Sequence, residues 1–257
     1  MVFADTHTHL YLDEFTPDRD EVIRNAVENG VKYLFIPNID SSSIKGMLDL
    51  AEKFPGHCFP MIGLHPTSVK TNYREELAIV DKELADTAKR YYAVGEVGID
   101  LYWSREFEGF QVSAFNHQLD LAIKYDLPVV IHTRNSFENV IRVIEEKKNP
   151  AIRGIFHCFG GNPEQAEHAV ELGFLLGIGG IITYRNSGLQ NVVGIIDLKH
   201  LVLETDAPFL PPVPHRGRRN ESAYIPVIAR KIAEIKNLSL TEVAEVTTKN
   251  ALNLFNL

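Results

Sequence analysis

Eight short apolar runs recur along this chain, and each is followed by a longer stretch with helical periodicity. The runs are Val2–Ala4, Tyr33–Ile36, Phe59–Ile62, Tyr92–Gly95, Val129–Ile131, Gly154–Phe156, Phe174–Ile178 and Leu201–Leu203. They are rich in β-branched and aromatic residues, as strands are. Between them lie segments with helix signals. Thr16-Pro17 reads as a cap followed by a first-turn proline. Asn162-Pro163-Glu164-Gln165 adds a glutamine three residues after the cap. Tyr73–Lys89 and Phe107–Tyr125 carry apolar residues at helical spacing. Ser239 and Glu242 open a last helix that ends near Phe255. Strictly alternating strands and helices predict an α/β fold, a TIM-type (β/α)8 barrel formed by a single domain over residues 1–257. An open doubly wound sheet is the alternative, but no Gly-x-Gly-x-x-Gly follows the first run.

Composition narrows the setting. Hydrophobic residues make up 45% of the chain, enough for a large core, and the net charge of −8 argues against broad adhesion to nucleic acid. A local basic patch stays open, and His215, Arg216, Arg218 and Arg219 form the one dense basic cluster. Two cysteines, Cys58 and Cys158, do not suggest a disulfide framework. Cys158 reads as a small buried neighbour of His157, turned away from it by strand alternation. The apolar stretch Leu172–Ile182 is too short for a bilayer and is broken by glycine. With no basic, apolar leader at the start, these features predict a cytoplasmic protein without membrane contact or an obligate protein partner.

In a barrel of this kind the chemistry sits where strands run into loops. The first run leads into Asp5, His7 and His9, the third into His65, the fourth into Glu96, the fifth into His132 and Arg134, the sixth into His157, and the eighth into Glu204 and Asp206. Residues two apart on a strand share a face. Phe3, Asp5, His7 and His9 are therefore expected to point one way, and Val94, Val130, Ile155 and Val202 to mark the face that carries Glu96, His132, His157 and Glu204. One histidine after a strand is weak evidence of a ligand. Imidazoles and carboxylates at several strand ends point to a divalent metal centre.

His7, His9, Glu96, His132, His157 and Asp206 are more ligands than one open catalytic ion uses. They predict two divalent cations, with Glu96 as candidate bridge, and the mixed nitrogen and oxygen set suits Zn, Mn or Ni and leaves Mg open. Paired ions suit phosphoryl chemistry.

At these residues the chain resembles the TatD family of metal-dependent deoxyribonucleases, within the amidohydrolase-like barrels. The resemblance rests on Asp5-Thr6-His7-Thr8-His9-Leu10, Gly63-Leu64-His65-Pro66, Gly95-Glu96-Val97-Gly98-Ile99-Asp100 with Tyr102, Leu127 to Arg134, His157-Cys158-Phe159-Gly160-Gly161 and Glu204-Thr205-Asp206-Ala207-Pro208. It covers nearly the whole chain. Tyr11, Trp103 and Gly160 depart from the usual pattern. The resemblance implies that His7, His9 and Asp206 hold one ion, that His132 and His157 hold the second, and that Glu96 joins them. It also implies an ester-bond hydrolase that cuts DNA, often from a 3′ end on single strands.

The expected mechanism is attack on phosphorus by a metal-activated water, with Asp206 and Glu96 as the catalytic carboxylates and Asp206 accepting the proton. His65 and Arg134 are expected to bind phosphate, Tyr102 and Trp103 to stack a base, and Arg218 and Arg219 to meet the DNA backbone from a local basic loop. Asp5 and Glu204 are expected to orient ligands rather than to be ligands. The competing reading is an amidohydrolase acting on a cyclic amide, ester or lactone. Many such barrels bridge their ions with a carboxylated lysine after the fourth strand, where this chain has Glu96. A non-catalytic, metal-stabilised scaffold is a third reading, disfavoured because structural zinc sites are small, closed and often rich in cysteine.

Overall fold

All eight expected strands form, and they pair in parallel in chain order. The computed structural model describes residues Met1–Leu257. The strands are β1 (Phe3–Asp5), β2 (Val31–Pro37), β3 (Cys58–Met61), β4 (Val94–Asp100), β5 (Val129–Arg134), β6 (Gly154–Phe156), β7 (Leu175–Ile178) and β8 (Leu201–Leu203). The helices are α1 (Arg19–Glu28), α2 (Ser41–Lys53), α3 (Tyr73–Ala85), α4 (Glu108–Tyr125), α5 (Phe137–Lys147), α6 (Pro163–Glu171), α7 (Leu189–Ile195), α8 (Ile225–Lys236) and α9 (Leu240–Leu254). Parallel neighbours need a crossover, and a helix supplies each one.

Strands β1 to β3 and β4 to β8 form two ladders. A bridge between Ile62 and Val94 joins them on one side, and a bridge between Thr8 and Ala207 joins them on the other. The second seam is strengthened by Thr6 N donating to Leu203 O and Asp206 N donating to His7 O, both at 2.9 Å. The sheet is therefore a closed (β/α)8 barrel, which leaves no edge strand and excludes the doubly wound alternative.

Two apolar layers hold it together. The larger one packs the helices against the outside of the barrel. The inner one contains Ala4, Phe35, Phe59, Met61, Ala93, Val130, Ile155 and Val202, together with Ala251 and Phe255. Helix α9 thus covers the end where the strands begin. The Phe255 ring stacks on Phe35 at 3.8 Å, and Asn250 Nδ2 donates to Leu198 O and Leu201 O. Burying one such phenyl ring contributes about 1.5–3 kcal/mol. The opposite end stays open for the site.

The helix signals held unevenly. Asn162 and Gln165 form the full reciprocal box at α6. Ser239 accepts from Glu242 N, but the return bond is missing. Thr16 does not cap α1, which begins at Arg19; the Arg19 guanidinium instead donates to the carbonyls of Leu10, Tyr11 and Leu12.

Three strands alternate as their sequences predict. Val130, Ile155 and Val202 face the barrel interior, but Val94 packs in the outer layer. The register between β4 and β5 slips between Gly95 and Val97. That slip makes Glu96 an extra residue in β4 and turns it inward against simple alternation. A similar slip lies between Phe3 and Ala4. Phe3 packs in the outer layer and Ala4 in the inner one, so Phe3 does not mark the face of His7 and His9.

Candidate metal centre

Glu96 sits at the middle of the open end, 3% exposed, with its two oxygens facing different imidazoles. Oε2 lies 3.1 Å from His7 Nε2 and 3.6 Å from His9 Nε2. Oε1 lies 2.7 Å from His132 Nδ1, 3.2 Å from His65 Nε2 and 3.4 Å from His157 Nε2. Asp206 Oδ1 completes the first side, 3.6 Å from His9 Nε2 and 4.0 Å from His7 Nε2. These side chains form three overlapping groups whose ligand atoms lie within 4.8 Å of one another: His7–His157–Asp206, His7–His9–Glu96 and His65–Glu96–His132.

The six residues expected as ligands are thus brought together, and His65 joins them. Sequence reasoning assigned His65 to phosphate alone. Its Nδ1 meets Thr67 Oγ1 at 2.7 Å, which aims Nε2 at Glu96.

A ring of carboxylates and hydroxyls orients the imidazoles. His157 Nδ1 faces Glu204 at 3.2 Å, and the other Glu204 oxygen accepts from Cys158 N. His132 Nε2 faces Asp100 Oδ2 at 2.9 Å, and His9 Nδ1 faces the Tyr11 hydroxyl at 3.0 Å. Asp5 accepts from Thr205 N, Thr205 Oγ1 and His7 N, so it ties the first strand to the loop bearing Asp206. Sequence reasoning missed the roles of Asp100 and Tyr11. The signal for Asp100 was available: Glu96, Gly98 and Asp100 alternate on one strand, but β4 was expected to end at Gly95. Gly98 is required there, because at φ +144° its added Cβ would lie 2.1 Å from His132 O.

Burial sets the protonation of the cluster. It pushes the Asp206 carboxyl up to about 8, helped by Glu96 and Glu204 and opposed by His157. It works against the charged His157 ring, but Glu204 and Glu96 outweigh it and raise that imidazole to about 10. His9 is pushed down to about 4 by burial, and His7 falls well below its usual range. Burial alone would raise Glu96, yet His65, His157, His7 and His132 bring it well below the carboxylate range.

The donor set fits divalent metal. His7 Nε2 and His9 Nε2 face each other at 3.2 Å, close enough that one must donate to the other or both must share an ion. His7 Nδ1 is buried with no hydrogen-bond partner, a rare state for a polar atom. Imidazole nitrogens and carboxylate oxygens converging without lysine or arginine are a ligand set for a transition-metal ion.

The rim divides the remaining predicted residues. Trp103, Arg134, Cys158 and Phe209 line a cleft of about 990 Å³ over the cluster. Cys158, expected to turn away, is half-buried with φ +45° and lines this cleft. The Arg134 guanidinium carbon lies 3.8 Å from the Tyr102 ring and 5.3 Å from that of Trp103. Tyr102 and Trp103 are 51% and 72% exposed at its rim, and of the two Trp103 lines the cleft. Arg218 is exposed and outside the cleft. Arg219 is a correction: it pairs with both Asp18 oxygens at 2.7 and 2.8 Å, with Glu221 and with Glu14 O. Its donors hold the loop after β8 to α1 and are not free for a backbone phosphate.

A closed parallel barrel with a histidine and carboxylate cluster in its mouth defines the class: a metal-dependent hydrolase of the amidohydrolase-like type. The chain belongs to the TatD-related DNase family, whose model matches residues 4–256. It is similar to YabD of Bacillus subtilis, described as an uncharacterized metal-dependent hydrolase, with 35% identity over all of both chains. It is 32% identical to the 3′-5′ ssDNA/RNA exonuclease TatD of Erwinia tasmaniensis, covering 98% of this chain and 99% of that one. The structure matches that of YjjV, a TatD homologue from Escherichia coli, with a TM-score of 0.92 and 30% identity over 99% and 98% of the two chains. An organophosphorus hydrolase from Deinococcus radiodurans shares the fold at 14% identity and a TM-score of 0.68. No helix is long and apolar enough to cross a membrane.

Proposed function

We propose that this hydrolase is a nuclease that cleaves DNA phosphodiester bonds, acting from the 3′ end with a preference for single strands. The observation that carries the reading is Arg134. Its guanidinium has no carboxylate partner and stacks on Tyr102 at the lip of the cleft above Glu96. A free, planar cation beside an aromatic platform fits a phosphate and its neighbouring base. The exonuclease from Erwinia tasmaniensis, similar over nearly its whole length, supports the same substrate class.

Two divalent cations fit the donors. His7, His9 and Asp206 would hold one with Glu96 Oε2, and His132 and His157 the other with Glu96 Oε1, beside His65. Bound there, such ions supply Lewis acidity toward water and the phosphate oxygens. Asp206, whose Oδ1 lies 3.6 Å from His9 Nε2 at the barrel mouth, is the residue suited to take the proton of the attacking water. Glu204 and Asp100 keep His157 and His132 aimed, and Arg134 balances charge on the phosphate.

The test is metal content, followed by assay of single- and double-stranded DNA with free and blocked 3′ ends under Mg, Mn and Zn. Release of mononucleotides from free 3′ ends is expected. Asp206→Asn should remove turnover by about 10²–10⁴-fold while the chain stays folded; an active variant overturns that role. Lactone or cyclic-amide turnover without nuclease activity would reverse the substrate class.

A further inference from the structure

The basic loop after β8 splits in two. Arg219 is consumed by Asp18 and Glu221, whereas Arg216 turns the other way, its guanidinium carbon 4.5 Å from the Tyr184 ring. Arg216 there lines a separate cleft of about 510 Å³ with Arg185, Asn186 and Ser187.

That cleft is built where the loop after β7 meets the loop after β8. Thr183 Oγ1 accepts from Val213 N at 2.9 Å, and the Tyr184 hydroxyl donates to Pro211 O at 2.8 Å. The two ties fix Tyr184, and Tyr184 in turn carries Arg216. Neither Arg185 nor Arg216 pairs with an acid; the arginine ion pairs of this chain belong to Arg24, Arg105, Arg153 and Arg219. Two guanidiniums without acidic partners lining one cleft, on a chain of net charge −8, make a local positive site that an anion relieves. Guanidinium suits phosphate through paired N–H bonds. Ile181 lines both this cleft and the metal cleft, so the two clefts adjoin.

We propose that Arg185 and Arg216 form a second phosphate site, which holds a phosphodiester of a single-stranded nucleic acid away from the bond being cut. The role in turnover rests on the nuclease reading, but the binding does not.

The probe is a fluorescein-labelled oligothymidylate of about twelve nucleotides with phosphorothioate linkages, bound to the metal-loaded protein and followed by anisotropy across a salt series. The double variant Arg185→Ala/Arg216→Ala should bind it about 10-fold or more weakly at low salt. The slope of log K against log salt should flatten by about 0.7, the contribution of one phosphate contact on a single strand. Arg185→Lys/Arg216→Lys should keep the slope. Turnover of bis(p-nitrophenyl) phosphate, which has no distal phosphate, and the melting temperature should match wild type. Unchanged affinity and slope overturn the proposal. So does a parallel loss of bis(p-nitrophenyl) phosphate turnover, which would assign both arginines to the metal cleft. If the wild-type protein cuts neither bis(p-nitrophenyl) phosphate nor the unmodified oligothymidylate while binding still needs both arginines, the nuclease reading falls and this site stands.

Discussion

Gly177 leaves room for Glu204: a Cβ added at residue 177 would lie 2.2 Å from Glu204 Oε2. Glu204 is fully buried and spends its oxygens on His157 Nδ1 and Cys158 N. Strand β7 offers the cluster no ligand, and its contribution is this missing side chain. In Gly177→Ala the methyl group and the carboxylate cannot both stay, so His157 loses its orienting partner. Metal affinity should fall about 10–100-fold, the usual cost of losing such a partner. Competition with a chromogenic chelator measures it, and wild-type affinity would show that Glu204 does not orient His157.

Asp100 should behave the same way through His132. Asp100→Asn keeps the shape but removes the charge facing Nε2 at 2.9 Å. A loss of about 10-fold or more in metal affinity is expected. Loss of activity at saturating metal with unchanged affinity would instead place Asp100 in substrate binding.

The metal-free protein should lose stability as pH rises from 7 to 10. Asp206 is raised to about 8 and His157 to about 10, so the folded chain holds protons that the unfolded chain, with ordinary values of 3.8 and 6.5, has already released. Where the folded state binds more protons, stability falls with pH. For Asp206 this loss runs up to about 8, and for His157 up to about 10. Melting curves in EDTA across that range check it. Because metal must displace the same protons, metal affinity should tighten with pH, and calorimetry in buffers of different ionisation heat should show proton release.

Arg219→Ala should act on stability and not on nucleic-acid binding. Its bidentate pair with Asp18 is partly exposed, so screening keeps the loss to about 1 kcal/mol, or a fall of about 2–4 °C in melting temperature. The salt slope of oligonucleotide binding should stay at the wild-type value. A flattened slope would return Arg219 to the substrate path.

The sequence by itself determined the repeating unit and the candidate residues of the metal centre. Short β-branched runs, amphipathic stretches and the Asn162 cap are local signals, so eight strands and their helices were legible from neighbours a few residues apart. The candidate ligands were legible as well, because residues toward the end of a barrel strand lie at the mouth. Only the tertiary structure decided what depends on closure and on close approach. The register slip that turns Glu96 inward depends on how β4 meets β5, and the clamp from Asp5 to Thr205 joins residues 200 positions apart. Asp18 and Arg219 are likewise distant in the chain, so one arginine of a basic run that reads as a nucleic-acid contact becomes a brace once the barrel closes. Gly177 has no side chain to signal its role, which exists only because Glu204 fills the space above it.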